Sequence, residues 1–373
     1  MSARQELKDT TMALFFTKGM SMKKWHDSGM IDREVALYNE LAKHYKAIYF
    51  FTYGVADDLD YRSYLADNIV VYPKKSVRND LLYSFLLPLI HRRALGEASI
   101  LKTNQMRGSW SAVLTKLLLG KKLVVRTGYT LSSFSDGRRK SKKLWLYRLM
   151  ERIAYRWPDC VIVTSQSDLD HVVNSYNLKC TSTCLPNYVE TDIFKRISIQ
   201  RKPGSVSFVG RLTPQKNLFS LLEALKGSEY SLTIIGSGEQ EEALKKFAEE
   251  NGICVNFTGN VPNHRLPELL NGHEVFILPS LYEGMPKTLL EAMSCGMPVI
   301  GTDVKGINEV IVNGVNGILC GTDPVSIRKA IDDVMKDGSL KKRLGDNARK
   351  TILEYYSLDS IVRRESGLME SIL

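Results

Sequence analysis

Glu283-Gly-Met-Pro-Lys-Thr-Leu-Leu-Glu291 decides the reading of this chain. Before it, Val275-Phe-Ile-Leu-Pro279 is an apolar strand that runs into the loop Ser280-Leu-Tyr-Glu283-Gly284. Pro286 suits a first helical position, and Leu289, Leu290 and Met293 follow at helical spacing. Gly296 closes the helix and Pro298-Val-Ile-Gly301 opens another strand, so Pro stands at the start and Gly past the end. In one continuous helix the two acids would lie about 12 Å apart at 1.5 Å per residue. Gly284 and Pro286 instead leave Glu283 in the loop and Glu291 in the second turn. Two acceptors can then reach hydroxyls on either side of an anion held at the exposed amides of the helix start. A nucleotide sugar, with a polyol, a diphosphate and a ribose in line, has that shape. On the spacing alone, one loop acid and one solvated helix acid is the plainer reading.

The flanking sequence shifts that balance. Val206-Ser-Phe-Val-Gly210 reads as a strand, followed by Arg211-Leu-Thr-Pro-Gln-Lys216-Asn217 and a helix from Leu218 to Leu225. Two cations just past a strand suit a diphosphate, Arg as a bidentate fork and Lys as a point charge. Leu232-Thr-Ile-Ile-Gly236-Ser-Gly238 is a further strand with a glycine turn, and Cys254-Val-Asn-Phe-Thr-Gly259-Asn-Val261 another strand. That glycine turn is equally compatible with tight strand-to-helix packing.

In this order and spacing, residues 205–316 resemble the C-terminal half of retaining glycosyltransferases of GT-B fold, glycosyltransferase family 4 (group 1). The resemblance implies an α/β protein with two doubly wound Rossmann-like domains facing a central cleft. It also implies a role for each matching position. Arg211 and Lys216 hold the donor diphosphate, Glu283 binds hydroxyls of the transferred sugar, and Glu291 binds the ribose. Gly210 and the main chain at Gly284, Met285, Pro286, Lys287 and Thr288 face sugar and phosphate, and Asn260 and Val261 touch the base. A glycine loop after the first strand approaches donor and acceptor; here Gly19 stands alone where relatives often carry two glycines. Many relatives place a His after the strand at 123–125, where this chain reads Arg126-Thr127-Gly128-Tyr129. Arg126 or Tyr129 then supplies the sugar or acceptor contact.

With 373 residues, the chain has room for two domains, and 44% hydrophobic with 25% charged residues is ordinary for a soluble protein. The alternation of strands (12–17, 48–52, 69–72, 100–103, 123–127, 160–164) with helical patterns predicts a parallel sheet in the first half, and the rhythm resumes at Ser205. We expect an acceptor-binding domain at 1–195, a linker at 196–204, a nucleotide-sugar domain at 205–357, and a last helix, 358–373, crossing back to the first domain. No leader-like layout is evident at residues 1–11, and the longest apolar run, 81–90, is too short to span a bilayer. Six scattered cysteines show no zinc spacing and suggest a reducing cytoplasm, with Cys254 and Cys295 as small core residues.

The net charge of +10 is uneven. Residues 1–195 carry 30 Lys+Arg against 19 Asp+Glu, and residues 196–373 carry 21 against 22, so the excess lies wholly in the first half. That points to an anionic partner: a membrane surface, a lipid diphosphate, an acidic glycan or nucleic acid. The cation run Arg138, Arg139, Lys140, Lys142 and Lys143 has no core role and is the expected contact with the inner face of the cell membrane. In the helix that follows, Leu146, Leu149, Met150, Ile153 and Trp157 form an apolar face beside Arg148, Arg152 and Arg156. A crossover helix must bury one stripe, so that face is expected in the core. The run 81–90 followed by His91-Arg92-Arg93 is a second candidate for membrane contact.

The pairs Asp58/Asp60 and Asp168/Asp170 fit a metal-holding D-x-D pattern, but both read as exposed loop or helix-start acids, and we expect no metal or other cofactor. The resemblance thus implies a metal-independent, retaining hexosyltransferase using a nucleotide sugar, with UDP as the expected base-bearing half. Its acceptor is a glycan or polyprenyl-diphosphate-linked glycan of bacterial surface polysaccharide. A GT-B sugar-nucleotide epimerase and a non-catalytic sugar-nucleotide binder are the rivals. Nucleic-acid binding is not expected, because the strands are apolar runs suited to burial on both faces.

Overall fold

The computed structural model describes residues 6–75, 77–128 and 142–373, with side chains left undescribed at 142–144 and 146. The chain divides into two units, 1–186 with 362–373 and 187–361.

In the first unit seven parallel strands order as β3-β2-β1-β4-β5-β6-β7. They are β1 (Thr11–Phe15), β2 (Ala47–Phe51), β3 (Ile69–Tyr72), β4 (Ile100–Thr103), β5 (Lys122–Thr127), β6 (Cys160–Val163) and β7 (Thr181–Cys184). The central strands β1, β4 and β6 are buried at every residue, as sheets covered on both faces require. Four helices form one layer, each packed on the next: α1 (Asp80–Ile90), α2 (Ser109–Leu119), α3 (Lys142–Arg156) and α4 (Gln166–Tyr176).

The second unit has six parallel strands in the order β10-β9-β8-β11-β12-β13. They are β8 (Lys202–Val209), β9 (Ser231–Ile235), β10 (Val255–Gly259), β11 (His273–Leu278), β12 (Val299–Thr302) and β13 (Ile318–Cys320). Around them run α5 (Leu218–Leu225), α6 (Lys287–Ser294), α7 (Gly338–Tyr355) and α8 (Leu358–Ile372). Residues 362–373 of α8 group with the first unit, where Glu365 forms a wholly buried ion pair with Lys102 of β4. In both sheets the strand order reverses once, between β1 and β4 and between β8 and β11. Ligands of open α/β sheets gather at the carboxyl ends of the two strands that flank such a reversal.

Several expectations are corrected. Residues 196–204 are not a free linker: Lys202–Gly204 already belong to β8. The stretch just before is anchored on the second unit, with Phe194 2% exposed and its carbonyl accepting from Ser294 Oγ and Arg349 Nη1. Polar composition there reflects hydrogen bonding to the domain, not freedom from it. Among the described side chains of α3, Glu151, Ala154 and Tyr155 are buried, while Leu149 and Ile153, with Trp157 just past its end, are exposed. The helix is rotated because the Glu151 carboxylate turns inward to accept from the Tyr176 hydroxyl of α4. Asp58 is wholly buried, accepts from the Lys23 amide at 3.1 Å, and fills the space that a Cβ on Gly54 would occupy. Asp168 is also buried, where it exchanges hydrogen bonds with Ser165 at the start of α4. Cys254 is exposed ahead of the edge strand β10, whereas Cys295 is buried.

Candidate active site

The loops after β8 and β11, the two strands flanking the reversal, carry the predicted residues. Gly210 and the exposed Arg211 directly follow β8, and a single turn, Pro214–Lys216, leads into α5. After β11, the loop 279–286 leads into α6. Lys216 Nζ forms an ion pair with Glu283 Oε1, both side chains nearly buried at 13% and 8% exposure. The same carboxylate oxygen accepts from Ser280 Oγ at 2.6 Å. Gln215 reinforces the join: its carbonyl accepts from the Leu281 amide at 2.8 Å, and its Nε2 donates to the Tyr282 carbonyl at 2.7 Å. The two loops are therefore one hydrogen-bonded assembly, and the cation assigned to phosphate is wired to the acid assigned to sugar.

Pro286 precedes the first turn of α6, one residue earlier than expected, and provides no side-chain cap. The first amides of a helix have no acceptor one turn back, and such a helix start suits an anion. Asn187 Nδ2 donates to the Met285 carbonyl at 3.0 Å and fixes the entry to that turn. Lys287 Nζ lies 5.8 Å from the centre of the Tyr188 ring. Glu291, one turn into α6, is 3% exposed. Its charge, after burial itself, pushes the Cys295 thiol up to about 12, so that cysteine stays protonated at neutral pH.

Glycines set the close approaches. A Cβ on Gly236 would lie 2.0 Å from the Gly210 carbonyl, and one on Gly238 2.4 Å from that of Leu212. The glycine turn after β9 thus serves to press its backbone against the Arg211 loop. Beyond it, Ser237 Oγ donates to Asn260 Oδ1 at 3.0 Å, with Val261 beside it. Gly306 has φ +81°, and a Cβ there would lie 2.0 Å from the Gly284 carbonyl. Sequence reasoning missed Gly306, Gln215, Ser280 and Asn187; none carries a local signal beyond its residue type, because each acts through a distant loop.

Two remaining candidates lie in the first unit. Gly19 sits at φ +81° after β1, where the Lys18 amide donates to the Arg107 carbonyl at 2.9 Å, joining the loops that follow β1 and β4. Arg126, at the end of β5, exchanges backbone hydrogen bonds with the Thr103 hydroxyl. Tyr129 and the cations Arg138, Arg139 and Lys140 lie outside the described residues, as do the side chains of Lys142 and Lys143. Among the described residues, no group of three or more His, Cys, Asp or Glu could hold a metal ion.

The family described as glycosyl transferases group 1 matches residues 189–351, and glycosyltransferase family 4 matches residues 35–193. The chain belongs to the family 4, group 1 glycosyltransferases. An uncharacterized glycosyltransferase of Methanocaldococcus jannaschii is 35% identical over 178 residues, 46% of each chain. The match therefore spans less than half the length of that curated relative. The UDP-Gal:alpha-D-GlcNAc-diphosphoundecaprenol alpha-1,3-galactosyltransferase of Escherichia coli is 27% identical over 65% of this chain and 67% of its own. HepE of Anabaena, solved in complex with UDP, superposes with a TM-score of 0.78 over 97% of this chain and 100% of its own at 15% identity. This family 4 chain thus has the GT-B glycosyltransferase fold, with both of its sheets parallel.

Proposed function

We propose that this chain transfers a hexose from a UDP-sugar to a hydroxyl of a glycan or lipid-linked glycan, with retention at the anomeric carbon and without a metal. The observation that carries the reading is the Lys216–Glu283 pair beside the uncapped start of α6, with Glu291 one turn further on. The E. coli relative names a UDP-sugar donor and a diphosphoundecaprenol-linked acceptor, and HepE binds UDP. Transfer to a surface-polysaccharide precursor fits both.

The chemistry follows from the side chains. Glu291 takes the ribose hydroxyls, and the start of α6 with Arg211 and Lys216 takes the diphosphate. An ammonium has three donors, so Lys216 can keep Glu283 and still reach a phosphate oxygen. As the bond from the anomeric carbon to the phosphate oxygen breaks, negative charge grows on the diphosphate, and these preplaced cations and amides stabilise it. The acceptor oxygen bonds to the anomeric carbon from the same face, and its proton passes to the leaving phosphate oxygen. Glu283 holds the sugar hydroxyls in register with that centre.

Incubation with UDP-glucose or UDP-galactose and a diphosphoprenyl-linked sugar, in EDTA, tests the reading. An α-linked product in the proton NMR spectrum supports it. A β-linked product overturns retention, and a free C2 or C4 epimer of the donor sugar in place of a disaccharide overturns transfer.

A further inference from the structure

A helix that is apolar all round is ordinarily buried, and α1 is the exception in this protein. One side of Asp80–Ile90 is in the core through Tyr83, Ser84 and Leu87, yet Leu81, Leu82, Phe85 and Leu89 on the other side are 49–60% exposed. The apolar surface continues onto the neighbouring helix. The Phe85 ring stacks on Trp110 of α2 at 6.3 Å, and Leu117 and Leu118, two turns along α2, are 53% and 59% exposed. Next in the layer, α3 exposes Trp145 at 68% together with Ile153, and Trp157 just past its end is exposed as well.

We infer that the outer face of the α1–α2–α3 layer docks on an anionic lipid bilayer surface. Charge decides the occupant. Arg78 before α1, Arg92 and Arg93 after it, and Arg148, Arg152 and Arg156 on α3 are all exposed. The three helices contain only two acids, and neither opposes them. Asp80 is paired with Lys74 at 2.6 Å, and Glu151 is buried against the Tyr176 hydroxyl. Large apolar and Trp side chains framed by arginines match the layering of an anionic membrane, acyl chains below and phosphates at the rim. A second copy of the chain would set these arginines against one another, so self-association through this face is disfavoured. Among the described residues no helix is long and apolar enough to cross a membrane, so the contact is peripheral. The inference needs neither donor nor acceptor and stands apart from the proposed transfer.

Co-sedimentation of the full chain with vesicles tests it, comparing mixed phosphatidylglycerol and phosphatidylcholine with phosphatidylcholine alone. Wild type is expected to partition onto the anionic vesicles at least about tenfold more strongly. Phe85→Ser with Leu89→Ser leaves the charge unchanged and is expected to weaken that partition by about tenfold or more. Arg92→Ser with Arg93→Ser is expected to weaken binding to anionic vesicles only. The unfolding midpoint checks each variant, and Leu117→Ser with Leu118→Ser provides a second apolar pair if the first unfolds. Binding to anionic vesicles that survives loss of either folded apolar pair would overturn the inference. So would wild type that ignores both vesicle types, or apolar substitutions that convert a dimer to a monomer without changing vesicle binding.

Discussion

Lys216 and Glu283 show how much one contact alters a residue-by-residue reading. The sequence presents them as separate ligands, one for phosphate and one for sugar, 67 positions apart; the fold joins them in a nearly buried ion pair backed by Ser280. A group held in this way is preorganised, so its loss should appear in turnover more than in affinity. Lys216→Ala is expected to lower kcat by about a hundredfold or more. Adding Glu283→Gln to it should cost much less than the product of the two single effects, because coupled residues are not additive. Initial-rate kinetics on the four forms of the cycle measure this; fully independent effects would mean the pair is not a functional unit. At this scale the sequence showed which side chains carry charge near the strand ends. It could not show their pairing, nor that Asp58 is interior, because burial of a single acid depends on chain far away. The metal-like spacing of Asp58 with Asp60 therefore belongs to a packing role against Gly54.

Elements were far more legible. Apolar runs bounded by glycine and proline place β3 and β4 at their observed limits, Ile69–Tyr72 and Ile100–Thr103, and α2 at Ser109–Leu119. The period of a buried parallel sheet is a local property, and so are its flanking turns. What lies between elements is not local. The loop 303–306 touches the donor loop only because Gly306 is bare at φ +81°, with the Gly284 carbonyl where a side chain would begin. Gly306→Ala combines a left-handed backbone with a direct clash, and we expect it to destabilise the protein by about 1–3 kcal/mol. Displacement of Gly284 should also weaken UDP-sugar binding more than UDP binding. Chemical denaturation and competition titration read the two effects; a silent substitution would mean that this contact does not shape the donor loop. The rotation of α3 was hidden for a similar reason. Its apolar stripe invites burial, but the Glu151–Tyr176 hydrogen bond to a neighbouring helix decides which face turns in.

For the whole molecule, the chain returns to its beginning at its end. Lys102 and Glu365 are 263 positions apart, wholly buried and paired. Burial pushes the Lys102 ammonium pKa down, and the Glu365 carboxylate opposes that shift. Removing one partner leaves a buried charge alone, so Glu365→Ala is expected to destabilise the protein by about 3–5 kcal/mol. Lys102→Met with Glu365→Leu should recover most of that loss, because an apolar pair needs no desolvation of charge. Urea unfolding of the three proteins decides it; a double variant as unstable as Glu365→Ala would contradict the account. The repeated βα rhythm and the lopsided charge were open to sequence reading at this scale, and the division of the chain was so only in outline. The second unit begins at residue 187 because Phe194 and its neighbours are bonded into it despite their polar surroundings. The central claim is that the carboxyl ends of β8 and β11, with the start of α6, form the donor site. Calorimetric titration with UDP in EDTA, on wild type and on Glu291→Ala, tests it most directly. The account predicts saturable binding to wild type and at least about tenfold weaker binding to the variant, for a lost charge-assisted hydrogen-bonding group. Equal binding to both proteins, or no binding of UDP to wild type, would contradict it.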